Sequence, residues 1–258
     1  MKLNAEEKAM LAGEFGPVRQ IAIQHQIKVG EFFGAEDLVP VSQAHIMADT
    51  ESLGEAGVEW LEGLAKNSVT DRMVRIPTIT DPRGTDFTKA KQLGQTEKML
   101  ELEKRAIDAF VKMGVSMTDT CINYQTIMAP VFGEHLAFGD TGVVIYSNSV
   151  CGARSNFEGG PSALAAGHTG RTPRYGYHLD EHRRPTHRFK TLWTPKTLNE
   201  WGALGGVIGK KSGNYWSVPV LEGIEGHPGS DAMKHFGAAM ASFGSTALFH
   251  VLGVTPEA

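Results

Sequence analysis

The sequence predicts an α/β fold in which a largely parallel sheet is flanked by helices, and three observations carry that prediction. Helix-like and strand-like stretches alternate from Asn4 to Cys121, the order that builds parallel sheets. The clearest amphipathic stretch, Thr96 to Gly114, runs straight into Val115–Cys121, a strand with Cys121 at its tip. Gly142-Val143-Val144-Ile145-Tyr146 is a short apolar run of buried-strand character that opens onto a long polar, glycine-rich stretch.

In chain order, Asn4 is an N-cap candidate with Glu6 and Glu7 in the first turn, and the helix it starts ends at Gly13. A second helix begins after Pro17, carries Val18, Ile21, Ala22, His25 and Val29 at helical spacing, and ends at Gly30 or Gly34. Leu38–Val41 reads as a strand delivering Gln43, Ala44 and His45 to its end. A helix over Gly54–Lys66 and a strand over Val74–Thr80 follow. In the Thr96–Gly114 helix, Met99, Leu100, Ile107, Phe110 and Val111 are expected to face a core, with Glu101, Glu103, Lys104 and Arg105 facing water. Thr197–Lys211 is expected to be helical, its Gly205-Gly206 pair marking a close backbone approach, and Ala247–Val254 reads as the last strand.

Residues 145–178 mix six glycines with Asn148, Arg154, Asn156, Arg171 and Arg174. Glycine lets backbone approach a ligand closely, and the guanidinium fork matches a carboxylate or phosphate. An anion-binding surface is the expectation, at the carboxyl end of a strand, where ligands bind in open α/β sheets. The net charge of −4 gives no reason to expect nucleic acid. No apolar run reaches the roughly 18 residues of a membrane span, and the start lacks a signal-peptide pattern. Two cysteines, Cys121 and Cys151, are too few for a disulfide framework. A cytoplasmic chain is therefore expected, with no membrane partner and no self-sufficient zinc site.

Four stretches, GAEDLVPVSQAHI, SLGEAGVEWLEGLAK, TDTCINY and IYSNSVCGARSNFEGGPSALAAGHTGRTPRYGYH, resemble aconitase X, the family of aconitase-like dehydratases that includes cis-3-hydroxy-L-proline dehydratase and phosphomevalonate dehydratase. The resemblance covers essentially the whole of 1–258, with lobes expected at 1–114 and 115–258. It implies an aconitase-like fold, C-terminally incomplete relative to the family, whose members add a C-terminal segment with further cysteine ligands and a small swivelling subunit or domain. It also implies a hydro-lyase built around an iron–sulfur cluster, acting on a hydroxy acid. Cis-3-hydroxy-L-proline is the expected substrate, with phosphomevalonate as the alternative. A non-catalytic remnant that binds a small carboxylate or a partner chain is the rival reading, and a cluster-free or differently metallated, hydrolase-like enzyme using His45, His135 or His168 is a third.

Dehydration needs a base, a group that helps the hydroxyl depart, and a clamp for the carboxylate. By resemblance, Cys121 matches a cluster ligand, whereas Cys151 reads as a packing residue. Met47, Ala48 and Asp49 fall where the family contacts substrate, Asp49 being equally a helix cap or turn former. His45 is a candidate base or a structural histidine. Asp81 and Pro82 match a turn near the substrate, and Thr141, Ser147 and Asn148 are further candidate contacts. Arg154 is the expected carboxylate clamp with Arg171 second, and Glu158 is expected to pair with one of them if it is structural.

Overall fold

The structure is a computed structural model describing residues 1–258, the side chain of Glu51 excepted. It divides into two units, and the chain crosses between them more than once: Met1–Cys121 with Glu158–Arg174 form the first, Ile122–Phe157 with Tyr175–Ala258 the second.

The first unit opens with α1 (Ala5–Ala12), started by a capping box in which Asn4 and Glu7 bond each other's backbone N–H. Helix α2 (Pro17–Phe33) begins on its proline and stops at Gly34 with φ +72°, a left-handed cap. Strands β1 (Leu38–Pro40) and β2 (Ala44–Ile46) precede α3 (Thr50–Ala65), the short α4 (Val69–Arg72), β3 (Thr78–Thr80) and α5 (Glu97–Lys112). In the second unit come α6 (Asn123–Thr126), β4 (Ala137–Phe138) and α7 (Thr141–Ser149). The chain then returns to the first unit for α8 (Gly160–Thr169) and β5 (Arg171–Pro173). The second unit ends with β6 (His187–Lys190), α9 (Leu198–Ser212), β7 (Pro219–Glu222), α10 (Ser230–Gly244) and β8 (His250–Val251).

Parallel pairing prevails: β2 lies parallel to β3 with His45 opposite Ile79, and β6, β7 and β8 form a parallel sheet in that order. Strands β1 and β5 pair antiparallel. The core of the first unit is built on Val58, Leu61 and Leu64 of α3, Ala106 and Phe110 of α5, and Leu164 of α8. The second unit holds one apolar cluster around Leu136, Phe138, Val143 and Tyr177, and another of Trp201, Ile208, Leu221, Phe236, Met240 and Phe249. In the latter, α9 and α10 approach so closely that a Cβ at Gly205 or Gly209 would overlap the Phe236 or Met240 carbonyl oxygen.

Several expectations change. Gly142–Tyr146 is not a strand but part of α7, capped by Asp140, whose side chain accepts a bond from Val143 N at 3.1 Å. Every residue from Val143 to Ser149 is buried, so the apolar pattern has no period by which a helix is told from a strand. Val115–Cys121 makes one bridge, Ser116 with Ile79, before Asp119 at φ +48° turns the backbone out of an extended path. The strands expected over Val74–Thr80 and Ala247–Val254 shrink to β3 and β8. On α5, Val111 faces water at 56% exposure and Glu103 is fully buried.

Candidate active site

Because β2 and β3 run parallel and in register, the segments leaving them start side by side: Met47–Asp49 after β2 and Asp81–Pro82 after β3. Asp81 N donates to Ile46 O at 2.9 Å and locks the two exits together. The stretch leading to Cys121 lies along β3, with Ser116 N and Thr120 N donating to Thr78 O and Thr80 O at 2.9 and 3.2 Å. Three segments thus converge at the carboxyl ends of a parallel pair, the usual ligand-binding edge of such sheets. Cys121 is exposed there, with a carboxylate oxygen of Asp81 within 4.8 Å of its sulfur.

His45 is fully buried in β2, and its Nε2–H donates to Thr120 O at 2.9 Å, with Asp81 Oδ1 at 3.7 Å. The imidazole thereby ties the backbone one residue before Cys121 to the strand. Asp49 caps α3, accepting from Ser52 N at 3.1 Å. Met47 is 40% exposed, and its carbonyl lies so near α8 that a Cβ on Gly160 would come within 2.6 Å of it. The Ala48 carbonyl accepts from Arg83 Nη1 at 3.1 Å, while Pro82 stands exposed.

Arg83 organises this group, and sequence reasoning overlooked it. Its guanidinium reaches Ala48 O, Asp119 Oδ1 at 3.2 Å and the fully buried Glu103 at 2.9 Å. Thr50 Oγ1 donates to Glu103 from 2.7 Å, and Thr80 Oγ1 to Asp119 from 3.1 Å. A signal for Glu103 existed: it shares the i, i+3, i+7 stripe of Ala106 and Phe110.

The remaining candidates are otherwise engaged. Arg171 donates to Glu7 at 3.2 Å and Glu6 at 3.0 Å on α1, so its charge is already matched. Glu158 pairs with neither arginine; it is buried and accepts from Thr172 Oγ1 at 2.7 Å. In the second unit, Arg154 donates to His178 O at 3.2 Å and pairs with the exposed Asp180. Asn148, fully buried, bonds Ser155 O, Ser155 N and Ala247 O, each at 2.9 Å, and acts as a structural pin. Ser147 is likewise buried, whereas Thr141, the first residue of α7, is exposed. The Nδ1 atoms of His135 and His178 lie 2.9 Å apart, and His168 is buried in α8 of the other unit.

Burial pushes the Glu158 carboxyl up from 4.5 to about 7. Between those values the folded chain keeps a proton that the unfolded chain sheds, so the unfolding free energy falls as pH rises through that window. Urea unfolding at about pH 5 and about pH 8 is expected to show a loss of a few kcal/mol, and Glu158→Gln should flatten the slope.

Family models place residues 1–181 in "Aconitase X first domain" and residues 185–258 in "Aconitase X second domain". The chain belongs to the aconitase X family. The phosphomevalonate dehydratase large subunit of Methanothermobacter thermautotrophicus is 39% identical, over 99% of this chain and 62% of that protein. Cis-3-hydroxy-L-proline dehydratase of Pseudomonas aeruginosa is 30% identical, over 100% of this chain and 44% of that protein. The crystal structure of Thermococcus kodakaraensis aconitase X in its holo-form superposes with a TM-score of 0.87 at 35% identity, covering 100% of this chain and 63% of that one. The chain thus has the α/β aconitase-like fold and spans less than two thirds of these relatives' lengths. Among the described residues, no helix is long and apolar enough to cross a membrane.

An iron–sulfur cluster asks for soft thiolate donors. Cys121 suits one such ligand, being exposed at the strand ends beside a carboxylate. Cys151 does not: burial, aided by the charge of Glu134, pushes its thiol up to about 11, and an apolar cluster packs around it. Of the two cysteines, Cys121 is the one whose setting fits a thiolate ligand.

Proposed function

We propose that this chain supplies the large-subunit portion of an aconitase X-type hydro-lyase, which removes water from a hydroxy acid. The observation that carries this reading is the convergence of Met47–Asp49, Asp81–Pro82 and Cys121 at the ends of β2 and β3. Cys121 is the proposed cluster ligand, the remaining thiolates coming from outside these residues. When bound, a cluster with an incompletely ligated iron supplies a Lewis acid for the departing hydroxyl.

The chain's own residues prepare the place. His45 is a positioning residue that fixes the Thr120 carbonyl and with it Cys121. Asp81, with an oxygen near the Cys121 sulfur, is suited to hold or accept a proton at its carboxylate. The backbone of Met47 and Ala48, steadied by α8 and Arg83, presents the substrate-facing edge, and Asp49 adds a carboxylate fixed by its capping role. In the second unit, taken by itself, Arg154 holds the exposed Asp180 in an ion pair, and Thr141 is the exposed polar residue that opens α7. Arg171 is left a structural role.

Identity of 39% to a phosphomevalonate dehydratase large subunit against 30% to a cis-3-hydroxy-L-proline dehydratase favours phosphomevalonate as the substrate, reversing the preference drawn from sequence. The name "large subunit" and the 62% coverage of that protein support partners, a small subunit and a complementary segment.

The test is anaerobic reconstitution with those two parts, followed by iron and sulfide analysis and assays of water loss from phosphomevalonate and from cis-3-hydroxy-L-proline. Cluster incorporation and turnover of phosphomevalonate are expected, and Cys121→Ser should remove most of the iron while leaving circular dichroism unchanged. Full iron content in Cys121→Ser overturns the ligand assignment, and turnover of hydroxyproline alone overturns the substrate.

A further inference from the structure

Helices α2, α3 and α8 enclose a second feature of the first unit, a cavity of about 420 Å³ that shares no residue with the strand-end group. Its walls are apolar, with Val18, Ala22, Leu64 and Leu164 inside and Trp60 and Ile21 at the rim, 39% and 43% exposed. Size and lining match the usual small-molecule site, an apolar concavity with a few placed polar groups.

Those polar groups are His25, His168 and Lys28. His25 Nε2 meets Ser162 Oγ at 2.8 Å. His168 is 1% exposed, and neither ring nitrogen makes a hydrogen bond of normal geometry. Burial, aided by the charge of Arg19 and opposed by the Met73 backbone, lowers the His168 pKa to about 4. Burial and then the Lys28 charge lower that of His25. Both rings are neutral near pH 7, so each keeps a donor and an acceptor. Arg19 has Asp71 at 3.8 Å to match its charge. Among the described residues the lysines held in ion pairs are Lys2, Lys98 and Lys234, and Lys28 is not one of them. The mouth of an apolar cavity therefore carries one unmatched positive charge.

We infer that this cavity binds a small anionic amphiphile, its apolar body of roughly ten heavy atoms between α2, α3 and α8 and its carboxylate or phosphate at Lys28. An anion completes the charge at the mouth, and the two neutral imidazoles offer hydrogen bonds to oxygens of the ligand. The inference does not rest on the hydro-lyase reading, because the site lies within this chain and needs no cluster.

Isothermal titration of the 258-residue chain with octanoate, octyl phosphate and octan-1-ol tests it. Single-site saturation by an anionic probe is expected, with octan-1-ol about tenfold weaker or more, and the tighter of the two anions identifies the headgroup. Lys28→Glu should abolish the preference for anions while leaving octan-1-ol unchanged. Trp60→Ala should weaken all three probes, with circular dichroism reporting intact helices. No saturable binding of either anion, or anion binding untouched by Lys28→Glu, overturns the inference. So does sedimentation showing a second copy closing the cavity, relieved by Ile21→Glu.

Discussion

Glu103→Ala is expected to lower the unfolding free energy by about 3–5 kcal/mol, measured by urea denaturation of the whole chain. Glu103 is fully buried and accepts bonds from Arg83 Nη1 at 2.9 Å and Thr50 Oγ1 at 2.7 Å. Arg83 is itself only 7% exposed. Removing the acid leaves a buried guanidinium with only the half-exposed Asp119 as its counter-charge, and the lost compensation costs more than the pair ever contributed. The double variant Glu103→Leu with Arg83→Leu should recover part of the loss, because it removes both charges together. It should not recover order at the strand ends, since Arg83 also holds Ala48 O and Asp119. Hydrogen exchange at Ala48–Ser52 separates the two effects: it should be faster in the double variant, which lacks Arg83, and faster in Glu103→Ala only if Arg83 steadies that segment through Glu103.

Gly209→Val is expected to destabilise the second unit by about 3 kcal/mol, the upper end of the usual overpacking cost. Most overpacked side chains relieve strain by rotating a neighbour. Here the neighbour is the backbone carbonyl of Met240, and Gly244 in turn packs against the Gly209 carbonyl, so both helices must part. Trp201, 4% exposed on α9 with its ring edge-to-face on Phe236 at 5.7 Å, reports that parting through its fluorescence. Gly63 provides the contrast: it sits inside α3 with open space where a Cβ would go. Gly63→Ala should stabilise by about 0.5–1 kcal/mol through helix propensity alone. Equal effects at the two glycines would dismiss the close-contact explanation.

Features set by neighbours in sequence were the legible ones. The Asn4 cap, the Thr96 and Thr197 starts and the glycine stop of α2 all involve groups within a turn of one another, and each stands where the sequence predicts. Helix α7 was misread because burial on every side erases the alternation that distinguishes the two secondary structures, leaving only the Asp140 cap as a signal. The segments grouped at the ends of β2 and β3 came forward through motif likeness. What holds them did not, because Arg83 and Glu103 lie on different elements and their pairing is a tertiary event. Arg171 was read by residue type alone, and its partners Glu6 and Glu7 lie at the other end of the first unit's sequence. A guanidinium names the charge it seeks without saying whose.

The route of the chain has a consequence for its birth. The first unit draws α8 and β5 from residues made only after Ile122–Phe157, so a nascent chain that has reached Cys121 cannot yet close it. Until then Leu164 is missing from the core, β1 lacks its pairing strand, and Gln26 has neither Ser162 nor Arg171 to bond. Ile122–Phe157 is in effect an insertion that the first unit must wait through while its apolar faces stand open on the ribosome. The interval in which the first unit's apolar faces lack their partners is therefore written into its connectivity, and it ends when Arg174 leaves the exit tunnel.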